Sequence, residues 1–242
     1  MKISIIVPCY NEEEGIPSLI EQLNPAVKDL KKEYEVEIIF VDDGSKDRTY
    51  ELLKEEYDDR RDVKIIRHKK NYNLGAALRT AFKHATGDVI VPMDSDCTYR
   101  PSIIKNILKL LDENTDIVIA SPYHPKGKVD NVPFYRLFLS KSISKIYSII
   151  LGANIHAYTA IVGAYRKKVL DTIRFKSNDF LCGAEINISA ILKGYKIKEY
   201  PATLHSRKYG KSNIRLLKVI VSHIKFIIKL IYVKLFGMKI WE

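Results

Sequence analysis

An α/β fold, with a mostly parallel sheet sandwiched between helices, is the architecture that this chain of 242 residues predicts. Three observations point to it. Short apolar runs alternate with helix-like stretches through the first half of the chain. The runs are β-branched and continuously apolar, as strands covered on both faces must be. Three of them end in polar clusters, where open parallel sheets place their ligand crevice.

The strand candidates are residues 3–7, 36–41, Val63–Arg67, 88–92 and 117–120. A first helix is expected after Asn11, which with Glu14 three residues on resembles a capping box. A second follows Asp47, a third runs from Asn73 through Gly75-Ala76-Ala77-Leu78, and a fourth starts near Pro101. In the second half, residues 155–165 and 196–202 read as strands, with a helix over 182–193 between them.

Two further stretches are amphipathic helices of unusual composition. Phe134–Leu151 carries Arg136, Ser140, Lys141, Ser144, Lys145 and Ser148 at helical spacing, with Leu and Ile on the other faces. Over 213–241, Arg215, Lys218, Ser222, Lys225 and Lys229 form one narrow polar stripe on an otherwise apolar helix. A helix apolar around most of its circumference fits one lying in a membrane interface, lysines towards the headgroups. A helix packed into the domain or against a second copy is the competing explanation. The expected division is a globular α/β unit over 1–212 and a membrane-interface segment over 213–242.

The composition, 46% hydrophobic and 29% charged, is that of a folded globular chain. The formal charge of +11 calls for an anionic partner: nucleic acid, an acidic membrane surface or a phosphorylated substrate. The positive charge gathers on apolar amphipathic helices, not on a polar stripe with exposed aromatics, which argues against nucleic acid. Cys9, Cys97 and Cys182 have neither metal-site nor disulfide-framework spacing, so a reducing, cytosolic compartment is the default. No stretch reaches the roughly 18 uncharged apolar residues of a spanning helix. Neither a Gly-x-Gly-x-x-Gly turn after the first strand nor a Gly-x-x-x-x-Gly-Lys-Ser/Thr loop is present, which argues against a nicotinamide dehydrogenase or a P-loop hydrolase.

The polar clusters are Tyr10-Asn11-Glu12, Asp42-Asp43-Gly44-Ser45 and Asp94-Ser95-Asp96. Asp94 and Asp96, two apart on extended backbone, leave the strand end on one side. Converging carboxylates suit a hard divalent cation shared with substrate phosphates. A solvated turn capped by Asp96 or Thr98 explains that tripeptide equally well in isolation. Three clusters on one rim favour a site.

The runs 5–12 (Ile-Ile-Val-Pro-Cys-Tyr-Asn-Glu), 41–47 (Val-Asp-Asp-Gly-Ser-Lys-Asp) and 93–96 (Met-Asp-Ser-Asp) resemble the signatures of family 2 glycosyltransferases, whose GT-A fold is Rossmann-like. The match covers about the first 120 residues. Asn73-Leu74-Gly75, Glu185, Arg207 and Gly210-Lys211-Ser212 make the chain most similar to polyprenyl-phosphate (dolichyl-phosphate) mannosyl- and glucosyltransferases. The resemblance implies transfer of mannose or glucose, with inversion, from GDP-mannose or UDP-glucose to polyprenyl phosphate. It implies work at the cytoplasmic face of a membrane with an anionic surface. Pro8, Tyr10, Glu12, Val41, Asp42, Asp43 and Ser95 would line the nucleotide pocket, and Arg207 would pair with phosphate. Asp94 and Asp96, with Thr98 in the place of a more usual Gln, would hold Mg²⁺ or Mn²⁺. Glu185 is the candidate general base should the acceptor be a hydroxyl.

The chain departs from that pattern on the acceptor side. Ala120-Ser121-Pro122-Tyr123 lacks the usual arginine, and Ala157, Ala160 and Gly163 stand where Asp, Ser and Arg are expected. Lys126, Lys128, Arg136 and Arg166 are the substitute cations; His124 and His156 read as structural. A saccharide-hydroxyl acceptor in surface-polysaccharide assembly, or a non-catalytic basic binding module, are the competing functions.

Overall fold

In a computed structural model, which describes residues 1–210 and 216–237, the five expected strands of the first half all form. They are β1 (Lys2–Cys9), β2 (Glu35–Asp42), β3 (Val63–Arg67), β4 (Val89–Pro92) and β5 (Ile117–Ser121). With β7 (Gly163–Arg166) and β8 (Ile197–Pro201) they make a seven-stranded sheet of order β3-β2-β1-β4-β7-β5-β8. Every pairing is parallel except those of β7, which runs antiparallel to both β4 and β5. A second, two-stranded sheet joins β6 (Lys128–Asp130) to β9 (Thr203–His205).

Alternation along the central strands divides the core. Ile5, Val7, Ile38 and Phe40 pack beneath α1 (Ile16–Leu30), α2 (Thr49–Tyr57) and α4 (Ile104–Lys109). Ile6, Ile39 and Val41 point the other way. They meet α3 (Leu74–His84), α5 (Phe134–Leu151), α7 (Leu181–Leu192) and α8 (Leu216–Phe236). A strand with both faces apolar must be covered twice, so the continuous apolarity of β1, β2 and β4 foretells this three-layer arrangement.

The register sets the position of the site. β1 pairs with β2 from Lys2↔Glu35 to Cys9↔Asp42, and its other edge pairs with β4 up to Ile6↔Pro92. The carboxyl ends of β2, β1 and β4 therefore lie side by side, and so do the polar clusters that follow them.

Several local expectations are corrected. Asn11 does not cap a helix. It sits in a bend at φ 52, its Oδ1 accepting from Lys46 N–H at 2.9 Å, and α1 begins five residues later with Pro17 in its first turn. Only the end of 155–165 is a strand. Ala157, Tyr158 and Val162 are apolar because they are buried, and periodicity cannot separate that cause from a sheet ladder. Glu199 on β8 holds this segment by accepting from the N–H groups of His156 and Ala157, each at 3.0 Å. The short elements β6, β9 and α6 (Lys167–Thr172) carry too few residues to show a period.

The stripe on α8 is shared between the domain and solvent, with Lys218, Lys225 and Lys229 exposed and Ser222 half-buried. Ser222 donates to Asp179 at 2.7 Å, and Lys218 lines a cleft of the domain. Beside those lysines an apolar strip is turned to solvent: Leu217 and Leu235 are 80% and 72% exposed, and Val221, Ile224, Ile228 and Ile231 are exposed with them. Arg215, Lys211, Ser212, Trp241 and the expected division at 212 fall outside the described residues.

Candidate active site

The rim is assembled from the ends of β1 and β2. Asp43 N–H donates to the Cys9 carbonyl at 2.8 Å, extending the pairing by one residue. Gly44 follows at φ +71, where a Cβ would lie 2.4 Å from the carbonyl carbon of Lys70. Only glycine lets the 68–71 loop close on the strand end.

The two aspartates then diverge. Asp42 is fully buried and turned from the cleft; its Oδ1 accepts from Ser45 N–H at 3.0 Å and its Oδ2 lies 3.1 Å from Arg67 Nε. Asp43 lines the cleft, its Oδ1 accepting from Tyr72 N–H at 2.9 Å and lying 2.6 Å from His68 Nδ1. Val41 packs its side chain into the core.

Pro8, Tyr10, Glu12, Asp94, Ser95, Asp96, Thr98 and Arg207 come together with Asp43 in one cleft of about 1180 Å³. At its floor are three carboxylates and one guanidinium. Arg207 donates through Nη2 to Glu12 and through Nε to the Tyr209 carbonyl at 2.6 Å, and its Nη1 lies 3.9 Å from Asp96 Oδ2. Thr98 N–H donates to Asp96 Oδ1 at 3.1 Å.

The charges do not balance. Burial pushes the Glu12 carboxyl up to about 7; the Arg207 cation opposes the shift and Asp96 adds to it. Asp94 is pushed up by burial first, then by the charges of Asp96 and Glu12. A buried excess of negative charge accepts either protons or a further cation. Among the described residues, no three or more His, Cys, Asp or Glu form a closed metal cage. An open carboxylate pair beside a large cleft fits a hard cation that completes its shell with water and phosphate oxygens.

Backbone strain gathers here. Among the described residues, Asn11, Asn73, Cys97 and Asn131 are the non-glycine residues with positive φ. Asn73 and Asn131 line the cleft, and Asn11 and Cys97 each stand between two residues that do. A conformation costing about 1–3 kcal/mol persists only where its surroundings hold it, and such positions concentrate at functional sites.

The cleft runs on from the carboxylates to the α5–α8 helix pair, past residues the sequence did not single out. The loop between α6 and α7 supplies Asn178, Asp179 and Phe180. It approaches α3 at Gly75, whose N–H donates to the Asn178 carbonyl at 2.9 Å, and a Cβ there would lie 2.1 Å from the Ser177 carbonyl oxygen. Glu185 does not line the cleft: its Oε2 accepts from Lys176 and Ser177 N–H, both at 2.8 Å, and so shapes this loop.

Of the four candidate substitute cations, Arg136 alone lines the cleft, joined by Lys218 of α8. Arg166 is engaged with the carbonyls of Leu111, Asp112 and Thr115. His156 pairs with Glu199 at 2.6 Å and packs edge-on against His124, away from the cleft. Lys218 was legible as a cation, but its helical stripe pointed to lipid headgroups. Docking of α8 brings it to the cleft: Tyr147 Oη and His223 Nδ1 lie 2.8 Å apart in a buried contact, and Phe226 and Leu230 enter the core beside them. Phe134, Phe138 and Ile149 of α5 are exposed as well.

Residues 4–174 match the family model described as "Glycosyl transferase family 2". The chain is 34% identical over 232 residues to a dolichol-phosphate mannosyltransferase of Pyrococcus furiosus, covering 95% of this chain and 64% of that protein, so it spans under two thirds of that relative's length. It is 32% identical over 217 residues to a polyprenol monophosphomannose synthase of Mycolicibacterium smegmatis, covering 87% of this chain and 80% of that one. Among solved structures, the fold is similar to glucosyl-3-phosphoglycerate synthase of Mycobacterium tuberculosis in complex with Mn²⁺, UDP and glucosyl-3-phosphoglycerate. That likeness has a TM-score of 0.69 at 18% identity, over 96% of this chain and 79% of that one.

Proposed function

This chain belongs to glycosyl transferase family 2, and from that membership we propose that it moves a hexose, mannose or glucose, from a nucleotide-diphosphate donor to a polyprenyl phosphate at a membrane surface. One observation carries the reading: a single cleft runs from the Glu12, Asp94 and Asp96 carboxylates to the α5–α8 pair, which exposes large apolar side chains beside lysines. The names of the two curated relatives support the same class of acceptor. GDP-mannose and UDP-glucose both satisfy the donor end.

Asp94 and Asp96, with the Thr98 hydroxyl beside them, would hold Mg²⁺ or Mn²⁺, matching the unbalanced negative charge there. Such a cation acts as a Lewis acid on the departing diphosphate. Asp43 would accept from ribose or base, and Pro8 and Tyr10 would wall the nucleoside. Arg207 exchanges Glu12 for a phosphate oxygen, since its planar fork suits either partner. Arg136 and Lys218 stand at the other end, where the acceptor's phosphate would enter.

A phosphate acceptor is already an anionic nucleophile and needs no strong general base, and in-line attack inverts the anomeric centre. A saccharide hydroxyl would need a base, and Glu185 is committed to backbone N–H groups outside the cleft. That favours the lipid phosphate. We take residues 1–212 as the transferase unit and 213–242 as the segment that carries its membrane helix. The protein would work peripherally at the cytoplasmic face. Among the described residues no helix is long and apolar enough to cross a membrane, and the three cysteines are free thiols.

The test is a panel of sugar nucleotides with Mg²⁺ or Mn²⁺ and a short polyprenyl phosphate. Sugar transfer to that lipid is expected with one donor. Transfer to oligosaccharides with none to polyprenyl phosphate would overturn the acceptor.

A further inference from the structure

His68 lies between the donor cleft and helix α3 and belongs to none of the signature runs. It is the first residue after β3, and its N–H donates to the Asp42 carbonyl at 2.8 Å, continuing the β2–β3 ladder. Its ring, 12% exposed, spans two groups. Nδ1 is 2.6 Å from Asp43 Oδ1, and Nε2 is 2.9 Å from Thr80 Oγ1 on α3. Tyr72 packs edge-on against the ring at 5.4 Å and gives its own N–H to the same Asp43 oxygen.

The directions of these hydrogen bonds follow from chemistry. An ionised carboxylate only accepts, so Nδ1 carries a hydrogen and donates to Asp43. In the neutral ring Nε2 then accepts from the Thr80 hydroxyl. Thr80, His68 and Asp43 thus form a chain that ties a buried carboxylate at the strand end to a helix on one face of the sheet. With the Asn73 backbone N–H also drawn to the carboxylate, these donors restrict its rotation where it lines the cleft.

We propose that His68 is a positioning residue for the nucleoside end of the donor, holding Asp43 in the orientation that accepts a hydrogen bond from ribose or base. This rests on the donor-binding reading of the cleft. Its effect lies in donor affinity, because Asp43 stands apart from the carboxylates that would face the diphosphate. Thr80 supports the ring from behind and touches no donor.

The experiment measures nucleoside-diphosphate Kd and donor KM and kcat for wild type, His68→Ala, His68→Asn and Thr80→Val, with melting temperatures alongside. His68→Ala should raise Kd and donor KM together by about tenfold or more, with kcat within about twofold, as expected for a lost hydrogen bond to a charged group. His68→Asn, whose amide can still donate near the Nδ1 position, should recover most of that loss. Thr80→Val, which leaves the cleft untouched, should give a smaller rise in KM of the same kind. Nucleotide affinity in His68→Ala equal to wild type overturns the assignment alone. So does a fall in kcat and melting temperature that His68→Asn does not rescue while KM stays fixed. Absence of nucleotide binding in the wild type overturns the donor reading and this assignment with it.

Discussion

Asp94 and Asp96 differ from Glu185 in what their oxygens meet, and that difference separates two kinds of acid. The aspartates face a cleft with uncompensated charge, whereas Glu185 Oε2 already accepts two backbone N–H groups. Asp96→Ala should therefore reduce metal-dependent transfer at least a hundredfold, about the scale of losing one electrostatic contact in a transition state. Full activity in that variant, or activity unchanged by a chelator, would sink the metal assignment. Glu185→Ala leaves two part-buried N–H groups without their carboxylate acceptor and should lower stability by about 1 kcal/mol. Glu185→Gln keeps a carbonyl acceptor and should hold kcat within severalfold, a result that kinetics and thermal melts together can check. Gly75→Ala would push against the Ser177 carbonyl. It should cost about 1–3 kcal/mol by overpacking and weaken ligand binding in the cleft that Asn178 and Asp179 line.

The α5–α8 pair has two jobs that face opposite ways. Inward, Tyr147, His223, Phe226 and Leu230 dock the pair on the domain, and Lys218 and Arg136 reach the cleft. Outward, Leu217, Ile224, Ile228 and Leu235 are exposed. An amphipathic helix binds a membrane surface by burying such a face, each large side chain contributing about 1.5–3 kcal/mol when fully covered. The double variant Ile224→Ser, Ile228→Ser should lower binding to anionic vesicles by more than about tenfold in a flotation assay. Transfer to a short, water-soluble acceptor should be unaffected. Equal flotation would show that this face is covered by something other than lipid. The sequence made both helices visible through their spacing, Phe134–Leu151 to the residue. It left open which way each face turned, because a stripe of lysines on an apolar helix is compatible with headgroups and with a cleft.

The whole molecule carries its acid cluster as a pH-dependent load. The Glu12 carboxyl stands at about 7 in the folded chain, against an ordinary value near 4.5, and Asp94 is raised with it. Between those limits the folded state binds more protons than the unfolded state, so stability falls as pH rises from about 4.5 to about 7 and levels off above. A divalent cation should offset the loss by replacing protons in the site. Melting curves of metal-free protein between pH 5 and 7.5, with and without Mn²⁺, should show that slope flatten on metal addition. The sequence by itself determined the three-layer α/β fold, because apolar runs alternating with helical periods leave few other ways to bury both faces of each strand. It also determined the carboxylate rim, because polar clusters at successive parallel strand ends must converge. Tertiary structure decided which of the two neighbouring aspartates faces the cleft: Asp42 ends β2 and is held inward by Ser45 N–H and Arg67, and Asp43 is the first residue beyond it. It alone decided that Glu185 supports a loop, that Asn178 and Lys218 complete the cleft, and that His68 stands behind Asp43. Those contacts run outside any helical or strand period, and no local periodicity encodes which side chains a packed core brings together.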